Sequence, residues 1–429
     1  METRGRLILA PGKEKAVMRR HPWIFSGAVK RIEVPSGKAG VLPQDGDMVD
    51  VYSADGQWLA MGHYQENESI ICKVLTFDLS DLRDNGRTQG YAPTEGLFRK
   101  RLLSAIDYRR RLGFFDYLTA PTGTQTTNVF RLVHAEGDYL PGLVVDWYAG
   151  NVVLQAHSVG MHRAFPLLAE LLRELIPSLR SIFDKSSATL PGGGTDGYLW
   201  GEESEEWEII ENGIRMKINP YEGQKTGFFI DQRENRKLVL ELAKGHRVLN
   251  CFGYTGGFSL AALKGGAEYV ETVDISKKAI ELCNRNVDLN FGSVAPHQGT
   301  VADVLQFLAK KQDSSANSQF SILNSQFDFI ILDPPAFAKN HRALQQGLKG
   351  YRKINQAAMA ALPKGGLLMT FSCSQAVSKE DFQTMIFTSA MNAHRNVRIV
   401  RQLPHAADHP VSICHPEGEY LKGLLLEIE

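Results

Sequence analysis

The sequence predicts an α/β protein. A doubly wound, mostly parallel sheet with an antiparallel last strand is expected in the C-terminal half, preceded by a small β-rich unit and a small α+β middle unit. Three observations lead there. From about residue 200, apolar runs suited to buried strands alternate with stretches of helical periodicity, the pattern of a sheet covered by helices on both faces. A strand, a Gly-rich turn and a helix follow one another in VLNCFGYTGGFSL (248–260), where this architecture opens its ligand crevice. Before residue 80 there are only short apolar runs broken by turn residues. The 429 residues are too many for one core, and the expected divisions are 1–77, 95–195 and 200–429.

The first unit reads as strands RLILA, MVDVYS, WLAMGHY and SIICKVL, separated by turns such as QDGD and ADGQ. Residues 78–94 are polar and turn-rich, a linker. LFRKRLLSAIDYRRRLGF then reads as a helix in which Leu97, Leu103, Ile106 and Leu112 share a face, with the arginines opposite. Two strands, NVFRLVHAEGD and GLVVDWYAGNVVLQAH, a helix around MHRAFPLLAELLRELI and a loop, PGGGTDG (191–197), complete the middle unit. The C-terminal strands are RVLNCF, YVETVDI, FDFIILD, GLLMTFSC, VRIVRQL and YLKGLLLEIE, with helices such as SKKAIELCNRNVDLNF and KEDFQTMIFTSAMNAH between them. The closing strand follows a long loop rather than a helix, so it is expected to run antiparallel. Residues 310–326 are low in complexity. NSQF occurs at 317–320 and 324–327, and the first copy reads as a surface insertion without chemistry.

Lys plus Arg equals Asp plus Glu, 48 each, so total charge points to no partner. Local charge does: residues 1–40 carry nine Lys/Arg against three acids, and residues 97–115 carry six against Asp107 alone. Such clusters suit phosphates or a solvated helix face. The five cysteines, Cys72, Cys251, Cys283, Cys373 and Cys414, form no C-x-x-C pair, which argues against a disulfide framework and a zinc site. No metal is expected. The opening stretch METRGRLILAPGKEKAV lacks a long apolar core with a cleavage site, and no apolar run approaches a membrane span. The expectation is a soluble, cytoplasmic protein.

Glycines 253, 256 and 257 let backbone approach a ligand, and the helix that follows offers unpaired N–H groups. Asp274 ends the next strand, 21 residues after Gly253, the place for a carboxylate gripping ribose hydroxyls. Asp303, after HQGTVADV, can accept from an adenine amino group. The turn is not G-x-G-x-x-G, which disfavours a dinucleotide dehydrogenase. Separately, Gly253 and Asp274 also fit a tight βα turn with a capping Asp. Together, in order, they favour a nucleoside-bearing cofactor.

FDFIILDPPAFAK (327–339) puts Asp333 at the carboxyl end of a strand, followed by a rigid proline turn whose carbonyls can face a base edge. GGLLMTFSCSQ (365–375) places Cys373 at the end of the next strand, between Ser372 and Ser374. A strand cysteine is often core filler; here it can be a nucleophile if its thiolate is favoured. Thiolate addition at carbon 6 of cytosine makes carbon 5 nucleophilic toward a sulfonium methyl group, and loss of the carbon-5 proton and of the thiol completes the cycle. The other cysteines fit less well: Cys251 lies inside a strand, Cys283 is mid-helix, Cys72 is in the first unit, and Cys414 lies in a C-terminal loop. Residues 336–358 carry Lys339, Arg342, Lys349, Arg352 and Lys353 with no acid, which suits a phosphate backbone. Tyr351 could stack on a base or fill the core.

In the order FFIDQRENR, NCFGYTGGF, VDIS, ADV, DPPAFAK and FSCS, nearly the whole chain resembles the class I S-adenosylmethionine (SAM)-dependent methyltransferases of the bacterial large-subunit rRNA cytosine-5 family, the RlmI type. The opening segment with HPWIF and GDMVDVY is similar to that family's RNA-binding PUA domain, and RLVHAEGDYLPGLVVDWY to its middle domain. The resemblance implies that Phe229, Asp231 and Arg233 help close the SAM site. It implies that Gly253, Tyr254, Thr255 and Gly256 surround the methionine moiety, with Asn250 and Phe252 also among the cofactor-binding residues. Asp274 would hold the ribose and Asp303 the adenine, with Ile275, Ser276 and Val304 also among the cofactor-binding residues. Asp333 and Pro334 would face the target base and border the cofactor, and Cys373 would be the nucleophile. Other RNA cytosine-5 enzymes often carry a second cysteine directly after D-P-P; here that residue is Ala336, so another group must help release Cys373. A related branch with D-P-P but no cysteine after the next strand methylates guanine. The expected function is 5-methylcytosine formation in large-subunit rRNA. The alternatives are methylation of a guanine or adenine nitrogen with Cys373 inert, or an assembly factor that binds SAM and RNA without turnover. The oligomeric state, homodimer included, is not legible.

Overall fold

Short strands open the chain; burial alternates along Met48–Tyr52, where one face finds the core and the other stays wet, and is continuous over residues 60–64 and 72–76. The computed structural model describes residues 4–34, 42–82, 93–114, 126–309 and 327–429. The first NSQF copy and residues 83–92 of the expected linker lie outside them. By packing, the chain divides into two units. The first is Met1–Ile209, Ile218–Ile230 and Ala407–Gly418; the second is Ile210–Lys217, Asp231–Ala406 and Glu419–Glu429.

The first unit begins with a six-stranded sheet: β1 (Gly5–Leu9), β2 (Trp23–Phe25), β3 (Val29–Glu33), β4 (Met48–Tyr52), β5 (Trp58–Tyr64) and β6 (Ile70–Thr76), in the order β2-β6-β5-β4-β1-β3. Leu7, Leu9, Val49, Val51, Ala60 and Val74 build its core. A helix, α1 (Pro93–Arg109), leads to a five-stranded sheet of β7 (Val129–His134), β8 (Leu143–Tyr148), β9 (Asn151–Ala156), β10 (Ser181–Asp184) and β11 (Gly197–Gly201), in the order β11-β10-β9-β8-β7. Helix α2 (Phe165–Leu175) lies between β9 and β10 in the chain, and its Phe165, Leu168 and Leu172 join the same apolar cluster as Phe98 and Leu102 of α1.

Two sequence expectations change here. The run GLVVDWYAGNVVLQAH is not one strand but the hairpin β8–β9, because Ala149 and Gly150 both take positive φ, 52° and 100°. Positive φ at both central positions is what a two-residue hairpin turn requires. In α1, Leu97 and Ile106 are buried as expected, but Leu103 is exposed and Arg109 has no exposed surface. Phe98, Leu102 and Ala105 take the inner face instead. Arg109 is tolerated inside because its guanidinium is fully engaged: it donates to Asp138 Oδ1 (2.5 Å), Asp408 O (2.6 Å) and Arg131 O (2.8 Å). A buried cation needs such partners.

A two-stranded ribbon, β12 (Trp207–Glu211) and β13 (Ile214–Ile218), turned at Asn212–Gly213 with φ 51° and 71°, contributes Ile210–Lys217 to the second unit. Its Glu211 carboxylate accepts two bonds, 2.5 and 2.7 Å, from Arg236 on helix α3 (Arg233–Leu242). The main sheet then forms from β14 (Arg247–Cys251), β15 (Tyr269–Asp274), β16 (His297–Val301), β17 (Phe329–Leu332), β18 (Leu367–Ser372), β19 (Val397–Gln402) and β20 (Lys422–Ile428). The helices α4 (Gly257–Lys264), α5 (Lys277–Phe291), α6 (Leu344–Ala361) and α7 (Lys379–Asn392) connect them. The order is β16-β15-β14-β17-β18-β20-β19, with β20 antiparallel to both neighbours and β14 to β18 parallel. This is the doubly wound sheet with an antiparallel last strand that the sequence predicts. The chain winds outward from β14 to β16, then crosses back to β17. The crevice of the fold therefore opens between the carboxyl ends of β14 and β17.

Arg109→Met is expected to destabilise the first unit by about 3–5 kcal/mol, because it strands Asp138 in a buried site. Urea denaturation measures this as a lower midpoint at unchanged slope; an unchanged midpoint would show that the pair contributes nothing.

Candidate active site

Strand register brings the predicted residues to one edge. Cys251 pairs with Val273 on one side and Leu332 on the other, and Leu332 pairs with Thr370. The residues that follow, Phe252 to Gly256, Asp274, Asp333 and Cys373, thus leave the sheet side by side. The Gly-rich turn is tightly wound: Phe252, Tyr254 and Gly256 have φ of 58°, 46° and 87°. Non-glycine residues held there store about 1–3 kcal/mol each, which the surroundings must offset. Gly253 N donates to Val273 O (3.1 Å), Gly256 N to Gly253 O (2.9 Å), and Tyr254 N to Asp274 Oδ2 (3.0 Å). A Cβ on Gly253 would lie 2.3 Å from Thr272 Cγ2, and one on Gly256 2.4 Å from Cys283 Sγ, so packing also demands glycine at both. Below the turn runs a buried polar chain. Asn250 Nδ2 donates to Ser259 Oγ (2.8 Å), which meets Thr272 Oγ1 (2.6 Å), which meets His297 Nε2 (2.8 Å). Burial pulls His297 down to about 4, so the ring is a neutral link.

Asp274 is half-buried with one backbone donor on each oxygen: Tyr254 N on Oδ2 and Ser276 N (2.8 Å) on Oδ1. Ser276 caps α5 through Ala279 N. Between them Ile275 is 75% exposed, an apolar surface at the rim. Asp303 Oδ1 accepts from Gln306 N (2.9 Å), and Val304 is buried. Thr255 is buried, and its carbonyl accepts from Asn286 Nδ2.

At the reactive edge, Asp333 Oδ1 accepts from Gln232 Nε2 (3.1 Å), and Asn235 Nδ2 donates to Gln232 Oε1 (2.6 Å). Asp231 points to Tyr420, whose hydroxyl donates to Oδ2 (2.6 Å), and Arg233 is buried. Phe229 belongs to the first unit, where the Lys225 ammonium lies 4.4 Å from its ring centroid. Tyr351 is fully buried, so it is not a base-stacking platform. Its hydroxyl meets Ser374 Oγ (2.9 Å), accepts from Phe337 N (3.3 Å) and donates to Pro335 O (3.4 Å), while Ser374 Oγ accepts from Ala338 N (3.2 Å). The D-P-P-A-F turn is thereby clamped onto the residue after Cys373. Cys373 itself is partly exposed, its Sγ 3.9 Å from Pro334 O. Cys72, Cys251 and Cys283 are buried, and burial pushes all three thiols up, Cys283 to about 12. Lys422 lies opposite Ser372, and burial pulls its amine down to about 8 against the opposing influence of Cys373 and Glu419.

A family model described as S-adenosylmethionine-dependent methyltransferase matches residues 191–412, and one described as a PUA-like domain matches residues 7–77. Ribosomal RNA large subunit methyltransferase I of Aeromonas salmonicida is 36% identical over 425 residues, 98% of each chain. The protein of the same name from Escherichia coli O9:H4 is 36% identical over 428 residues, 99% of each chain. The chain belongs to the ribosomal RNA large subunit methyltransferase I family. A solved structure of a candidate SAM-dependent methyltransferase from Streptococcus mutans superposes with a TM-score of 0.78 at 21% identity, over 98% of this chain and 99% of that one. A candidate methyltransferase complexed with SAH gives 0.79 at 22% identity over the same shares. These two likenesses bear on the fold.

As a member of this family, the chain is a SAM-dependent methyltransferase, and its turn fits that cofactor. Gly253 and Gly256 pack the turn closely onto Thr272 and Cys283, and the Asp274 carboxylate, held by two amides, keeps lone pairs able to accept from a diol. Among the described residues no cluster of His, Cys, Asp or Glu is placed to hold a metal ion, and no helix is long and apolar enough to cross a membrane. Sequence reading missed Gln232, Asn235 and Lys422. The polar density of FFIDQRENR was the available signal for the first two; Lys422 gave none, being the first residue of an apolar strand.

Gly256→Ala is expected to weaken SAM binding about tenfold or more, since the added methyl must displace the turn or α5 by roughly 1–3 kcal/mol of strain. Calorimetric titration of the folded variant measures it; wild-type affinity would show that the turn does not set the site.

Proposed function

We propose that this chain methylates carbon 5 of a cytosine in large-subunit ribosomal RNA, with Cys373 as the covalent nucleophile. The observation that carries the reading is a partly exposed thiol just after β18, its Sγ 3.9 Å from the carbonyl of Pro334, the residue after Asp333. The names of the curated relatives support the ribosomal substrate, and the PUA-like segment supports an RNA one.

SAM supplies an electrophilic methyl group. The chain's residues do the rest. Asp274 would hold the ribose hydroxyls and Asp303 would accept from the adenine amino group, with the exposed Ile275 side chain next to Asp274. The turn from Asn250 and Phe252 through Gly253, Tyr254, Thr255 and Gly256 surrounds the methionine end. Ser276 and Val304 fix the segments that carry Asp274 and Asp303. Asp231 and Arg233 close the site from the start of α3, and Phe229 precedes them in the chain. Asp333, oriented by Gln232, grips the base edge with the Pro334 carbonyl beside it. The target base must leave its stack to reach this edge. The Cys373 thiolate bonds to carbon 6, moving the ring's electron pair to carbon 5, which takes the methyl group. Water acting as base takes the carbon-5 proton, which re-forms the double bond and expels the thiolate.

Lys339, Arg342, Lys349 and Lys353 are exposed just after the D-P-P turn, the last two one turn apart on α6. They suit the phosphates flanking the flipped base.

The test is nucleoside mass spectrometry of protein-free large-subunit rRNA incubated with the enzyme and a labelled methyl donor. Labelled 5-methylcytidine is expected, and Cys373→Ala should lower it by more than about a thousandfold, as loss of a covalent nucleophile does. Labelled methylguanosine or methyladenosine, or full activity in Cys373→Ala, would overturn the mechanism. In a salt series, Lys349→Gln with Lys353→Gln should weaken RNA binding and flatten log K against log salt by about 1.4, roughly 0.7 per lost phosphate contact. An unchanged slope would remove α6 from the RNA surface.

A further inference from the structure

The last strand brings a cation to the reactive edge. Because β20 is antiparallel, it enters the sheet where β17 and β18 leave it, and its first residue, Lys422, stands opposite Ser372. The side chain is only 6% exposed. Its Nζ donates to Ser374 O and to Tyr420 O, both at 2.7 Å. Among the described residues these two carbonyls are its hydrogen-bond acceptors, so two of three ammonium N–H groups are engaged by protein. Facing Ser372 and bonded to Ser374, the amine brackets Cys373, the residue between them. Its charge interacts with that of the Cys373 sulfur.

We propose that Lys422 is the positioning residue that sets the ionisation of Cys373, the two forming a thiolate–ammonium pair. The inference rests on Cys373 being the nucleophile. Its proton balance is closed: the Cys373 S–H bond breaks, the proton passes to solvent water at this partly exposed thiol, and the thiolate is held by the Lys422 ammonium, which is already charged. When the thiolate leaves carbon 6 at the end of the cycle, it returns to the same ammonium. With Ala336 in place of a second cysteine, the leaving thiolate is thus stabilised by a cation already in place. An ammonium beside a thiol favours the thiolate.

The neighbouring groups do not substitute for it. Lys379 and Glu419 face Lys422 but are paired with each other at 2.6 Å. Tyr351, from α6, stays neutral because burial pushes its hydroxyl up. Asp333, on the adjacent strand, is a like charge that disfavours the thiolate, which makes a nearby cation the more necessary.

The test reads thiol ionisation rather than methyl transfer. The full-length protein is alkylated with iodoacetamide across a pH series, and the Cys373 peptide is followed by mass spectrometry, separately from the Cys414 peptide. The wild-type midpoint is expected below the ordinary thiol value of about 8.5. Lys422→Met should raise it by about one unit and slow alkylation near pH 7 about tenfold, whereas Lys422→Arg, which keeps the charge, should hold the midpoint low. A wild-type midpoint at or above the ordinary value overturns the pairing without recourse to any variant. So does an unshifted midpoint in Lys422→Met, or an Arg variant that behaves like Met. A low, Lys422-dependent midpoint in a protein that forms no 5-methylcytidine would support the pairing while removing the proposed reaction.

Discussion

The bond between the Tyr351 hydroxyl and Ser374 Oγ, 2.9 Å and buried, holds the reactive edge together. Two parallel strands ending side by side would leave their following loops free to diverge. Here the two oxygens accept from the backbone of Phe337 and Ala338, so the loop after β17 is tied to the residue after β18. The separation of Asp333 and Cys373 is then a property of the sheet rather than of two independent loops. A site built on rigid elements keeps its geometry better than one built on loops. Gly347 adds to this: a Cβ there would lie 2.7 Å from the Ala338 side chain, so α6 packs directly on the clamped loop.

The cofactor side follows a different logic. Its turn is strained at Phe252 and Tyr254 and is held by backbone bonds to Val273 and Asp274 on the neighbouring strand. Asp274 therefore has two tasks, closing the turn and facing outward. The chain Asn250–Ser259–Thr272–His297 beneath it satisfies buried polar groups that the sheet ladder cannot reach. Arg236 supports the same region from below, its side chain packed against Gly257 while its guanidinium is neutralised by Glu211.

The parallel sheet and its antiparallel closing strand were legible because βα alternation and a missing final helix are local signals. The Gly-rich turn, Asp274, D-P-P and Cys373 were legible as single positions because each stands at a strand end. What was not legible depends on distance. Gln232 meets Asp333 across 101 residues, and no local period marks it. The expected one-sided helix 97–112 failed at Arg109 because its acceptors, Asp138 and Asp408, lie 29 and 299 residues away. Tyr351, offered as a surface for a base, is core because Ser374 comes to meet it. The hairpin at Ala149–Gly150 was hidden by an alanine where a turn usually shows asparagine or aspartate.

The first unit contains a piece of chain, Ala407–Gly418, whose neighbours on both sides belong to the second. That insertion supplies Asp408, which accepts from Arg131 N and offers its carbonyl to Arg109. On a ribosome the chain emerges from its N-terminus, so both arginines are made long before residue 408 of 429 exists. The N-terminal half must therefore wait, with the Arg109 guanidinium and the Arg131 main-chain N–H each short of an acceptor, until residue 408 is made. Truncation anywhere before residue 408 removes a partner from a unit that ends, by most of its sequence, about two hundred residues earlier.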